Sequence, residues 1–89
     1  MATYKVEFVK SAQKEFDRLA AKLQVKTAEA LSLLAQNPFS ELLKVKKLKG
    51  VENLYRLRLG DYRIVYEIRN EQLIVLVIKI GHRREVYRR

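Results

Sequence analysis

Residues 55–87, YRLRLGDYRIVYEIRNEQLIVLVIKIGHRREVY, decide how this chain folds. In Tyr55-Arg56-Leu57-Arg58-Leu59 a period of two sends Tyr55, Leu57 and Leu59 to one face and Arg56 and Arg58 to the other, the pattern of a half-buried strand. Gly60-Asp61 has the length and chemistry of a two-residue hairpin loop, with Gly supplying the positive φ such turns need. Counting outward from that loop pairs Leu59 with Tyr62, Arg58 with Arg63 and Leu57 with Ile64. Two arginines then face each other, which destabilises a strand pair by a few tenths of a kcal/mol to about one. Folding alone gives no reason for that choice, whereas a polyanion lying between them does. Arg56, Arg58 and Arg63 form one cationic cluster, and the donor fork of each guanidinium suits phosphate oxygens.

The same alternation continues downstream. Tyr62, Ile64, Tyr66 and Ile68 oppose Arg63, Val65 and Glu67, Asn70-Glu71 makes a turn, and residues 73–80 are apolar except for Lys79. An unbroken apolar run of this length predicts the central strand, covered on both faces. The tail from Gly81 to Arg89 is the second concentration of polar chemistry. Gly81 lets the backbone bend as the strand ends, which would swing His82 and Arg83 back over the arginine hairpin. Beside five arginines His82 is expected to be mainly neutral at pH 7.

Upstream, residues 4–9 alternate as a first strand. Ser11 is placed to cap a helix that carries Ala12, Phe16, Leu19 and Leu23 inward, and a second helix follows over about residues 25–36, ended by Asn37-Pro38. One long helix over residues 12–36 is the alternative, since no Gly or Pro interrupts it. These stripes need a sheet to cover, and the apolar face of the later strands supplies one. Residues 39–50 read as a loop or short helical turn bearing Lys44, Lys46, Lys47 and Lys49. Tyr4, Tyr55, Tyr62 and Tyr66 fall on core faces, with their hydroxyls expected at the rim.

Eighty-nine residues suit a single domain, 1–89, with one small core. Cysteine is absent, which removes disulfides and thiolate zinc sites and fits a reducing compartment. The amphipathic start MATYKVEFVK has no secretory core, and no apolar stretch is long enough to span a bilayer, so a soluble cytoplasmic protein with no membrane partner is expected. Of the net +9, residues 44–89 hold +8, from thirteen Lys/Arg against five Asp/Glu. That balance points to nucleic acid, an acidic protein or anionic lipid.

KLKGVENLYRLRLGDYRIVYEI, followed by an apolar strand and IGHRREVY, resembles the RelE/ParE superfamily of toxin–antitoxin toxins, in particular the RelE-like mRNA interferases. The resemblance covers essentially the whole chain. It implies an α+β fold in which two N-terminal helices pack on one face of a small antiparallel sheet (β-α-α-β-β-β), leaving a concave face for the active residues. Carried over by position, Arg56 and Arg58 match the two basic residues of the hairpin's first strand, where familiar members have lysines. Arg63 matches the arginine of the Y-R-[LI]-V-Y segment, Arg83 the arginine after the glycine, and Tyr87 the C-terminal tyrosine.

The reaction implied is ribosome-dependent cleavage of mRNA in the A site, by attack of a ribose 2′-hydroxyl on the adjacent phosphate. Arginine, with a pKa above about 12, is a poor proton acceptor. Arg56, Arg58 and Arg63 are therefore assigned to phosphate binding and charge stabilisation, Arg83 to the leaving oxygen, and Tyr87 to stacking on a base or orienting the 2′-hydroxyl. Lys46, Lys47, Lys49, His82 and Arg84 are assigned to RNA contact. No cofactor or metal is expected. The partners implied are an acidic, RelB-like antitoxin, the ribosome with its mRNA, and operator DNA reached through the antitoxin. Two rival readings remain: a ParE-like DNA gyrase inhibitor on the same fold, and a non-catalytic nucleic-acid-binding module.

Overall fold

A computed structural model describes residues 3–38, 45–48 and 53–82. Two helices lie against a five-stranded sheet in which β1 (Lys5–Phe8), β2 (Val45–Lys47), β3 (Leu54–Leu59), β4 (Tyr62–Arg69) and β5 (Ile74–His82) take the order β1-β5-β4-β3-β2. The helices α1 (Lys10–Asp17) and α2 (Ala21–Gln36) fall between β1 and β2 in the chain. The hairpin register is the one the loop length dictates: Leu59 opposes Tyr62, Arg58 opposes Arg63 and Leu57 opposes Ile64, around Gly60 at φ 57°.

Alternation then decides the core. Leu57, Ile64, Tyr66, Ile68, Val75, Val77 and Ile80 are buried together with Ala12 of α1 and Ala30, Leu31 and Leu34 of α2. Complete burial of a side chain such as Leu57 or Ile64 stabilises the fold by about 1.5–3 kcal/mol. The opposite face of the sheet, bearing Arg56, Arg58 and Arg63, carries neither helix.

Several elements differ from the sequence expectation. The sheet is mostly antiparallel, but β1 runs parallel to β5, because two helices return the chain across the sheet between them. Part of the expected loop, Val45–Lys47, is a short edge strand on β3. The central strand is β4; β5 is flanked by β1 and β4, and it buries Val75, Val77, Ile80 and Gly81 while Ile74, Leu76, Ile78 and Lys79 are only half-buried, so its apolar run does not mean full cover on both faces. It begins at Ile74, because Leu73 closes the turn at φ 56°.

The helical segment breaks at Arg18–Ala20 rather than near Gln24, and Ser11 lies inside α1 instead of capping it. Gln24 explains the break: its side-chain amide donates to the carbonyls of Phe16 (3.1 Å) and Asp17 (3.3 Å), closing the end of α1 from the first turn of α2. Among the described residues no helix is long and apolar enough to cross a membrane.

Candidate nucleic-acid interface

Lys46 of β2 pairs with Arg56 of β3, and Arg58 pairs with Arg63 of β4. Because paired residues share a face, Lys46, Arg56, Arg58 and Arg63 stand on one surface of three adjacent strands. Rigid backbone fixes their spacing before any ligand arrives, with Lys46 and Arg58 exposed, Arg56 half-buried and Arg63 buried.

Arg58 and Arg63 face each other in very different surroundings. Arg58 is exposed, whereas Arg63 is only 4% exposed. One terminal nitrogen of Arg63 donates to the carbonyls of Gly60 and Tyr62, each at 3.2 Å. Arg63 therefore has a structural task that the sequence did not reveal, since it buckles the hairpin loop to its own strand. On the β5 side it faces Gly81, which carries no side chain.

His82 lies elsewhere. It pairs with Tyr62, and their rings meet edge to face at 5.7 Å, so register puts it on the side of Leu59 and Tyr62, not above Arg63. The expected swing of His82 over the hairpin does not occur within the described residues. Lys47 likewise pairs with Tyr55 and falls on the opposite side of β2 from Lys46. Lys44, Lys49, Arg83, Arg84 and Tyr87 lie outside the described residues.

A groove of about 460 Å³ runs beside this end of the sheet, lined by Glu15, Arg18, Leu19, Tyr62, Lys79, Ile80 and Gly81. Glu15, which the sequence did not single out, links α1 to β5 there. Its carboxylate accepts the Lys79 ammonium at 2.7 Å and the Ile80 backbone amide at 2.8 Å. No pattern in the chain signals a contact across 65 residues of separation.

Tyr66 is a perturbed titratable group. It is completely buried, its ring stacks on Tyr55 at 5.8 Å, and its hydroxyl has no hydrogen-bond partner among the described residues. The hydroxyl is thus in the core and not at the rim. Burial, followed by the neighbouring Tyr55, pushes its pKa well above the ordinary tyrosine value. Among the described residues no three His, Asp or Glu side chains cluster in a way that could hold a metal.

Comparison with known proteins agrees with this architecture. Residues 6–87 match the sequence model of a family described as the ParE toxin of the type II toxin-antitoxin system parDE. The mRNA interferase toxin RelE of Escherichia coli K12 is 30% identical over 88 residues, covering 94% of this chain and 90% of that protein. The archaeal RelE-RelB complex from Pyrococcus horikoshii contains a chain that superposes with a TM-score of 0.80 at 31% identity, over 91% of this chain and 96% of that one. The intact E. coli RelBE toxin-antitoxin complex gives 0.78 at 28% identity, with 91% and 96% covered.

Proposed function

Since the chain belongs to the RelE/ParE superfamily of type II toxin–antitoxin toxins, we propose that it is an mRNA interferase, held inactive by an acidic RelB-like antitoxin until released. The observation that carries this reading is the placement of Lys46, Arg56, Arg58 and Arg63 on the face of the sheet away from α1 and α2.

The chemistry follows from what these groups can and cannot do. Cleavage by a ribose 2′-hydroxyl needs an in-line geometry, charge stabilisation on the phosphorane and proton transfers. Four cations on a rigid surface supply the first two for a strand laid across them. Arg58, exposed, meets the phosphate directly, while Arg63 holds the loop and contributes field from below. Arg83 and Tyr87 complete the proposed set, as leaving-oxygen partner and base-stacking ring. An arginine-based centre leaves proton transfer to the substrate's surroundings, which supports action within the ribosomal A site rather than on free RNA. The reaction is proposed to be independent of metal at the cleaved phosphate, in a cytoplasmic single-domain protein spanning residues 1–89.

The test is single-turnover cleavage of mRNA on programmed ribosomes. Products ending in 2′,3′-cyclic phosphate and 5′-hydroxyl are expected, with no thiophilic-metal rescue of a phosphorothioate at the scissile position. The family match carries the name of ParE toxins, which favours a second reading as a gyrase inhibitor. Induction that produces gyrase-linked DNA breaks and leaves mRNA ends unchanged would establish that reading instead.

A further inference from the structure

β5 has a strand neighbour along only part of its outer edge. Pairing with β1 ends at Phe8 opposite Val77, followed by the Val9 amide donating to the Val77 carbonyl at 3.0 Å. Beyond that point β5 continues to His82 with no strand on that side among the described residues. A bulge also intervenes: Tyr66 pairs with Val77 but Val65 with Lys79, so Ile78 is an extra residue that resets which amides face outward. The Ile80 amide faces outward, and Glu15 accepts it at 2.8 Å. Among the described residues, a carboxylate from a helix takes the place of a strand partner at this amide.

Glu15 is held firmly enough for this. It lies one helical turn beyond Ala12, which is completely buried against the sheet, and next to Phe16, whose ring packs on Phe8 at 5.6 Å. Its second oxygen meets Lys79 in a half-buried ion pair, in which solvent still screens much of the attraction. The bond to the amide is the consequential one, because it gives an acceptor to an N–H on a stretch of β5 edge that has no strand beside it among the described residues.

The end of β5 held in this way is the part that lies against the cationic surface, with Gly81 opposite Arg63 and His82 opposite Tyr62. We propose that Glu15 is a positioning residue for the cleavage site, acting through the Ile80 amide to fix the end of β5, where Gly81 pairs with Arg63, and so to fix Arg63 itself. The proposal rests on the ribonuclease reading above. It predicts that the acceptor oxygen at position 15 matters and its charge does not.

Four proteins decide it: wild type, Glu15→Ala, Glu15→Gln and Lys79→Met. Each is measured for hydrogen exchange at the Ile80 amide, for ribosome affinity, and for the single-turnover rate at saturating ribosomes, well below its unfolding temperature. Glu15→Ala is expected to exchange faster at Ile80 and to lose about tenfold or more in rate with affinity unchanged, as misplacement of a reacting group does. Glu15→Gln, which keeps the acceptor, and Lys79→Met, which removes only the ion pair, should retain most of the rate. A Glu15→Ala protein that cuts as fast as wild type overturns the proposal, and so does a Glu15→Gln protein as damaged as Glu15→Ala. A wild-type protein that leaves ribosome-bound mRNA intact instead overturns the ribonuclease reading.

Discussion

Two neighbouring rungs of the β3–β4 ladder are built for opposite purposes. Leu57 and Ile64 face each other and both are completely buried under the helices, whereas Arg58 and Arg63, one residue along, face each other on the helix-free side. The first rung is what a strand pair wants. The second sets like charges opposite each other at a cost in stability, and even there the partners divide the work, with Arg63 buried against the loop carbonyls and Arg58 left in solvent. The buried core and the proposed site are thus separated by a single residue step.

Substitution of the apolar rung should give the largest effect. Leu57→Ala leaves a cavity among Ile64, Leu34 and their neighbours and is expected to destabilise the protein by about 2–5 kcal/mol, measured by urea unfolding. Domains of this size have only about 5–15 kcal/mol in total, so the variant should be close to its threshold. A loss below about 1 kcal/mol would mean that this rung is not the centre of the core.

The arginine rung should split the two kinds of effect. Arg58→Ala is expected to leave unfolding unchanged or slightly improved while lowering single-turnover cleavage by about a hundredfold, the scale of removing one charge-stabilising group. Arg63→Ala should also lose cleavage, but it should lower stability by about 1–3 kcal/mol, because the loop carbonyls lose their donor. Equal stabilities of the two variants would remove the distinction drawn between them.

Tyr66 tests whether the helix-covered face is as apolar as it looks. Its hydroxyl is buried and unbonded among the described residues, so Tyr66→Phe should stabilise by about 1 kcal/mol. The same site sets an alkaline limit. With the folded pKa raised above the unfolded value of about 10, Tyr66 stays neutral in the fold, and its contribution, complete below that pH, is lost as the pH rises beyond it. Unfolding followed between pH 8 and 11 should show wild type weakening more steeply than Tyr66→Phe, and parallel curves would refute the assignment.

How legible these features were depends on the distance over which each is determined. The hairpin register could be read because Gly60-Asp61 leaves one pairing, and every later rung follows from it by counting. The buried rows of β3 and β4 could be read for the same reason. The break between the helices could not, because it is closed by Gln24 reaching the carbonyls of Phe16 and Asp17, a side-chain bond with no compositional mark. Strand β2 could not, because three residues with two lysines carry no alternation of their own and are ordered by β3. The parallel β1–β5 pair, the bulge and Glu15 all arise from tertiary contact. Within the site, the shared surface of Arg56, Arg58 and Arg63 was legible by parity, whereas the burial of Arg63 and the side taken by His82 depend on how the sheet closes.

His82 gives the smallest expected effect and the finest test of the division between faces. It is the only side chain in the protein whose ordinary pKa lies near neutrality, which makes it the natural candidate for a proton acceptor. Geometry argues against that role. Its pairing with Tyr62 sets it on the side opposite the Arg58–Arg63 rung, in edge contact with the Tyr62 ring. A phosphate bound over Arg58 would therefore have the sheet between itself and the imidazole. His82→Gln removes the titrating group and keeps a polar side chain, so its rate should change by no more than about threefold, far less than Arg58→Ala, for which a lost charge-stabilising group is the precedent. The dependence of its rate on pH between 6 and 8 should superpose on that of wild type. A His82→Gln protein that cuts a hundredfold more slowly, or whose rate no longer varies with pH where wild type does, would place the proton acceptor on the side of Tyr62 and break the assignment of chemistry to one face.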